Sequence, residues 1–181
     1  MPIPLVLTFL GRDKPGLVNA ISEKIAAHGG TWLESRLAHL AGEFAGIVLV
    51  GAPEANIAAL TAALRDVEAN GLRVTVERSE PAPADADYTN YTSLNLALFG
   101  NERPGIVRDV TQSLTGLGVN IEEFSSSLES APFTGLEMFR AQARLLVPSG
   151  VSRAEVQKTL ERLAAEIMVD LSVSDAPSRN K

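Results

Sequence analysis

The sequence contains no cysteine, which excludes disulfides, thiolate nucleophiles and every cysteine-based metal site. Histidine is nearly as scarce, with His28 and His39 the only two. Positive charge is in deficit: 16 Lys and Arg stand against 22 Asp and Glu, giving a net charge of -6. The basic residues are scattered rather than gathered into a stripe. Because phosphate neutralisation drives affinity for nucleic acids, direct binding to DNA or RNA is disfavoured. No apolar run approaches the roughly 20 residues needed to span a bilayer. Met1-Pro2-Ile3-Pro4 also lacks the charged and then apolar regions of a secretory signal. The expectation is a cytoplasmic protein with no membrane partner, no metal and no cofactor.

What is present is a chain of 181 residues with 45% hydrophobic content, Leu, Val and Ile being spread along its whole length. That suits one or two globular domains, each with its own core.

An internal repeat organises it. Gly11-Arg12-Asp13-Lys14-Pro15-Gly16-Leu17-Val18 returns as Gly100-Asn101-Glu102-Arg103-Pro104-Gly105-Ile106-Val107, 89 residues later. At that offset the alternating Leu5, Leu7, Phe9 maps onto Leu94, Leu96, Leu98, the mark of a half-buried strand. Leu17, Ile21, Ile25 maps onto Ile106, Val110, Leu114, the mark of one helix face. Pro15 and Pro104 are expected at the first helical position, and Gly29 and Gly118 at the helix ends.

Extended stretches follow from Thr31 and from Asn120, with a mixed pattern that assigns no inward face. Ala45, Ile47, Leu49 then aligns with Ala141, Ala143, Leu145 at an offset of 96, which places a seven-residue insertion near Ser130 to Gly135. Leu60, Leu64, Val67 aligns with Val156, Leu160, Leu163 as a second helix, and Ser152 with Glu155 has capping-box spacing. Leu72, Val74, Val76 and Val169, Leu171, Val173 close the copies as strands. Each half therefore reads β-α-β-β-α-β. The predicted fold is α+β, two tandem domains over 1–80 and 92–175, with a linker over 81–91 rich in Pro, Ala and Asp and a tail over 176–181. Right-handed crossovers imply antiparallel four-stranded sheets of order 4-1-3-2 with both helices on one face. The other face of the first strand would carry Val6, Thr8 and Leu10, apolar enough to suggest pairing with another sheet and a homodimer.

The repeated loop offers a chemistry. A helix start exposes unpaired N–H groups at the positive end of the peptide dipoles, so a carboxylate could dock there. Gly16 and Gly105, without a Cβ, would admit a ligand close to the backbone, and Asp13 or Glu102 could hold an ammonium group.

These residues carry a resemblance. A hydrophobic strand, Asp13-Lys14-Pro15-Gly16, a helix and then Gly29-Gly30-Thr31 look like an ACT domain. Glu102-Arg103-Pro104-Gly105 with Gly118-Val119-Asn120-Ile121 resembles the family more closely. The resemblance implies ferredoxin-like folding and regulation by small ligands, commonly amino acids. The tandem arrangement is similar to the glycine cleavage system transcriptional repressor family, which implies glycine or serine as ligand and a transcriptional activator protein as partner. It places ligand contacts at Gly11, Asp13, Gly16, Leu17, Gly100, Glu102, Gly105, Ile106, Asn120 and Ile121. Where such domains often have Asn, this chain has Asp13, Glu102 and Thr31, and only Asn120 matches; the carry-over is therefore fuller in the second copy. Alternatives are a ligand-independent adaptor and a detached regulatory part of an amino-acid enzyme such as a phosphoserine phosphatase.

Other groups point to no catalysis. His28 and His39 have no neighbours at metal-ligand spacing. Ser125-Ser126-Ser127 has no histidine in its copy to activate it. Glu122 and Glu123, adjacent on a strand, are expected to point to opposite faces. Trp32 and the phenylalanines read as core or interface material, since no basic residues interleave them.

Overall fold

The computed structural model describes residues 1–79, 90–130 and 136–176. Most of the expected linker, the centre of the expected insertion and the tail beyond Ala176 lie outside the described residues. The chain divides into two compact units, Met1–Pro81 and Ala82–Lys181.

Unit 1 runs β1 (Ile3–Arg12), α1 (Leu17–Ala27), β2 (Thr31–Leu40), β3 (Glu43–Ala52), α2 (Ile57–Arg65) and β4 (Leu72–Arg78). Unit 2 repeats it as β5 (Thr92–Asn101), α3 (Ile106–Thr115), β6 (Asn120–Ser130), β7 (Glu137–Val147), α4 (Arg153–Ile167) and β8 (Val169–Asp175). The sheets are antiparallel, ordered β2-β3-β1-β4 and β6-β7-β5-β8, which is the expected ferredoxin-like topology. Each core forms between one sheet face and two helices. Leu5, Leu7 and Phe9 meet Leu17, Ile21, Ile25, Leu60 and Leu64 in unit 1, and Leu94, Leu96 and Leu98 meet Ile106, Val110, Leu114, Val156 and Leu160 in unit 2. Side chains buried this fully contribute about 1.5–3 kcal/mol each.

The third strands correct the sequence alignment. Gly11 pairs with Phe44 and Gly100 with Phe139, so β3 and β7 correspond at an offset of 95. Val48, Val50 and Ala52 are the inward equivalents of Ala143, Leu145 and Val147, and all six are buried. Ala45, Ile47 and Leu49 lie on the opposite face. Matching them to Ala141, Ala143 and Leu145 was a slip of one residue, which in a strand exchanges the two faces. The hairpin insertion is therefore six residues. The β2–β3 turn holds only Ala41 and Gly42, both at positive φ, whereas β6 and β7 pair out to Ser130 and Glu137.

The prolines also sit differently from expectation. Helices α1 and α3 start at Leu17 and Ile106, while Pro15 and Pro104 belong to the preceding turn. The N-cap is a left-handed glycine, Gly16 at φ 91° and Gly105 at φ 88°. At the other ends Gly29 and Gly118 are left-handed, as expected. Gly29 N–H donates to the Ala26 carbonyl and Gly30 N–H to that of Ile25; Gly118 and Val119 repeat the pair with Thr115 and Leu114. Both helices therefore end in the same Schellman arrangement.

The mixed pattern of the second strands has a cause. A bulge shifts the register between Trp32 and Glu34 in β2 and between Ile121 and Glu123 in β6, and a bulge breaks the period of two. It also corrects the expectation for the two glutamates. Glu123 pairs with Arg144, and the Glu122 carboxylate lies 3.9 Å from the Arg144 Nε, so both turn toward the face that Arg144 occupies.

Gly46 shows how tightly unit 1 is packed. A Cβ there would lie 2.6 Å from both Leu37 and Phe9, whereas at the equivalent position Ala141 is accepted between the smaller Leu98 and Ser126. Gly46→Ala is expected to destabilise the protein by about 1–3 kcal/mol through overpacking, measured by denaturant unfolding.

Candidate functional site

The two repeated loops are the same backbone built twice. Each leaves the end of a central strand, turns through Pro-Gly and enters a helix whose N-cap glycine makes no side-chain hydrogen bond. Helix α4 is different, because Ser152 accepts from the Glu155 N–H there. In α1 the first bond within the helix runs from Ala20 N–H to the Gly16 carbonyl at 2.9 Å, and in α3 from Asp109 N–H to Gly105 at 3.0 Å. The N–H groups at the helix starts therefore form a shelf of donors at the positive end of the helix dipole.

The predicted residues divide by what they do here. Gly16 and Gly105 set the turn. Leu17 and Ile106 bury their side chains in the cores; the Leu17 N–H belongs to the shelf, whereas the Ile106 N–H donates to the Arg103 carbonyl at 3.4 Å. Asp13 donates its N–H to the Gly42 carbonyl, and its carboxylate lies 3.8 Å from His39 Nε2; Glu102 N–H donates to the Glu137 carbonyl. Gly11 and Gly100 have a packing reason: a Cβ would come within 2.3 Å of the Gly71 carbonyl oxygen or 2.4 Å of Val169. Asn120 and Ile121 do not join the loop of their own unit. Asn120 shares Leu146 as a rung with Ser93, at the start of β5, while the loop follows Gly100 at its far end. Seven residues at about 3.3 Å each separate the two ends by roughly 23 Å.

Sequence reasoning missed the residue that distinguishes the loops. In unit 2, Asp109 in the first turn of α3 accepts from Arg103 Nη2 and, through its other oxygen, from Arg108 Nε at 3.0 Å and Nη2 at 2.8 Å. Hydrogen bonds from Arg103 and then Arg108 hold its carboxyl below the ordinary 3.8, against the opposing effect of burial. The equivalents in unit 1 are Lys14, Asn19 and Ala20, which contain no carboxylate; Asn19 donates to Glu23 instead. The signal lay in the alignment at offset 89, where the residues around the shared Pro-Gly differ in charge. The second unit thus has a carboxylate in the first turn of its helix. The first has none there.

His28 is structural. It caps α1, its Nδ1–H donating to the Lys24 carbonyl at 2.8 Å, and its own carbonyl accepts from Asn56. No group of acidic and histidine side chains suited to a metal ion occurs among the described residues. No described helix is long and apolar enough to cross a membrane.

Residues 4–77 match the family model of the ACT domain, and unit 2 repeats the architecture of that segment. The chain folds as two tandem ACT-like domains. It is 26% identical to the glycine cleavage system transcriptional repressor of Escherichia coli over 176 residues, 94% of this chain and 88% of that protein. It is 33% identical over 180 residues to a phosphoserine phosphatase of Mycobacterium tuberculosis, where 96% of this ACT-domain chain spans 41% of the phosphatase. Among solved structures, an unknown protein from Galdieria sulphuraria superposes with a TM-score of 0.82 at 28% identity, covering 98% of this chain and all of that one. A protein assigned as a glycine cleavage system transcriptional repressor superposes at 0.70 with 20% identity, covering 98% and 99%, which shows the shared fold.

The Asp109 cluster has a testable pH signature. A carboxyl whose pKa is depressed on folding stabilises the native state above its unfolded value, and that contribution is lost as pH falls through the folded value. Asp109→Asn is expected to lower the melting temperature by a few degrees. The gap should be constant from neutral pH down to about 4 and close below it. A gap that widens in acid would contradict this.

Proposed function

We propose that this tandem ACT-domain protein is a non-enzymatic regulator that senses a small amino acid and acts through a protein partner. The observation that carries the reading is the twice-built shelf of helix-start N–H groups behind a left-handed glycine, with no group of side chains suited to a metal ion among the described residues. The α-carboxylate of an amino acid is the anion that such a shelf suits, and Asp13 stands at the loop to meet an ammonium group. The first unit is the binding copy on this reading, because Asp109 already supplies a carboxylate in the second. Glycine and serine are the favoured ligands, by relation to the glycine cleavage repressor. That relation also supports a transcriptional activator as partner and a cytoplasmic setting, and the net charge of -6 agrees with regulation by protein contact rather than by DNA binding.

A second reading rests on the relation to the phosphatase, whose identity with this chain is 33% against 26% for the repressor. It makes the chain a regulatory part that works with an amino-acid enzyme. Both readings require ligand binding, unlike a constitutive adaptor.

Ligand present at 100 times its dissociation constant adds about 2.7 kcal/mol of stability, a rise of several degrees in melting temperature. Glycine or serine is expected to produce that shift in the wild-type chain. Ala20→Asp, which gives unit 1 the carboxylate that Asp109 gives unit 2, should remove it. A panel of amino acids in which none moves the melting curve would rule out sensing and leave the adaptor. Co-purification with a transcriptional activator, rather than with an amino-acid enzyme, would separate the two sensing readings.

A further inference from the structure

The sheet face of unit 1 turned away from its helices is apolar at its centre. By ladder register the rungs on that face read Glu34–Leu49–Val6–Glu77, Arg36–Ile47–Thr8–Thr75 and Ala38–Ala45–Leu10–Arg73 across β2, β3, β1 and β4. Ile47 is 48% exposed and Leu10 40%. The fold does not require this. At the equivalent positions of unit 2, Val6, Ala45, Ile47 and Leu49 are replaced by Asn95, Arg140, Gln142 and Arg144, and Phe99, which replaces Leu10, is covered by the Arg140 guanidinium 4.9 Å from its ring. One copy of the repeat has a face made for water. The other has apolar side chains on its two central strands, where a contiguous exposed patch marks an interaction surface.

The charges around this face select its occupant. On β4, Arg73 and Glu77 lie one rung to either side of Thr75. A twofold axis crossing the strands along the Thr8–Thr75 rung would set Arg73 of one chain against Glu77 of the other. The same operation puts Leu10 against Val6, Ala45 against Leu49 and Ile47 against its own copy, apolar on apolar throughout. An axis parallel to the strands would instead bring Glu34 against Glu77, two like charges. Arg36 meets its own copy at the edge of the first arrangement, but Glu34 lies 3.1 Å from it on the same strand. An isologous interface must be self-complementary in this way, and aligned sheet packing provides the geometry.

We propose that unit 1 of two chains stack face to face through this surface, with strands antiparallel across a twofold, and that the protein is a homodimer through it. The inference does not depend on any ligand.

The test is the molar mass of the full chain without added amino acids, by light scattering and sedimentation across micromolar concentrations. The expected result is a dimer. Ile47→Gln, which installs the residue that unit 2 has at this position, should raise the dissociation constant at least tenfold while the circular dichroism spectrum stays unchanged. Arg73→Glu should weaken the dimer too, and Arg73→Glu with Glu77→Arg should restore it. A monomeric wild type, a dimer indifferent to both single variants, or a charge swap that fails to restore association would each overturn the proposal.

Discussion

Each unit depends on a central strand whose inward side chains sit at the middle of its core. Leu5, Leu7 and Phe9 in β1, or Leu94, Leu96 and Leu98 in β5, lie between two antiparallel neighbours and beneath both helices. Once those side chains are buried, the chain must leave the end of the strand and turn back over the same face within a few residues. A left-handed glycine does this at no steric cost, and Gly11 or Gly100 lets the last strand lie against the turn. The donor shelf is a by-product of that geometry. A helix that begins on glycine has no side chain to satisfy its first N–H groups, so a feature that packing demands is also one that chemistry can use.

Duplication then allowed the copies to divide the work. Unit 2 has placed Asp109 and two arginines beside its helix start, has coated the outer sheet face with Asn95, Arg140, Gln142 and Arg144, and has lengthened the β6–β7 hairpin. Unit 1 has no carboxylate in the first turn of α1 and has kept its outer face apolar. The core positions changed least in character, because an apolar residue of suitable size is required at each. The divergence is concentrated where the fold is indifferent, at the helix start and the far sheet face, and function is free to settle there.

Much of this was legible in the sequence. Strand alternation and four-residue helix spacing gave the element order, because Leu5-Leu7-Phe9 and Leu17-Ile21-Ile25 each express a single period and survive in both copies. The reading failed where the period is broken or ambiguous. In β3 the residues on both faces are apolar, so Ala45-Ile47-Leu49 looks as inward as Val48-Val50-Ala52, and only the pairing with β1 separates them. In β2 and β6 a bulge shifts the phase midway, so no single face can be read from either strand. Asp109 escaped attention because its meaning is tertiary: a helix-surface aspartate becomes an internal anion only when Arg103 reaches it from the preceding loop. Asn120 stands about 23 Å along the strand from the loop of its own unit, a separation that motif spacing does not express.

The Asp109 cluster also limits how a ligand could act. A ligand shifts an equilibrium only by the difference in its affinity for the two states, and moving a population from 1:99 to 99:1 needs about 5.5 kcal/mol of that difference. Two identical shelves could share such a load. With the Asp109–arginine cluster beside one helix start, the differential affinity on the proposed reading comes from the other, where a lysine and the helix-start amides would be the partners. A few charge-assisted hydrogen bonds to one small amino acid, at about 1.5–3 kcal/mol each, reach that figure only if most of them form in one state alone, and a single site offers no cooperativity. A graded change in affinity for a protein partner is the response that this architecture can support. Such a response follows the concentration of a metabolite instead of switching at a threshold.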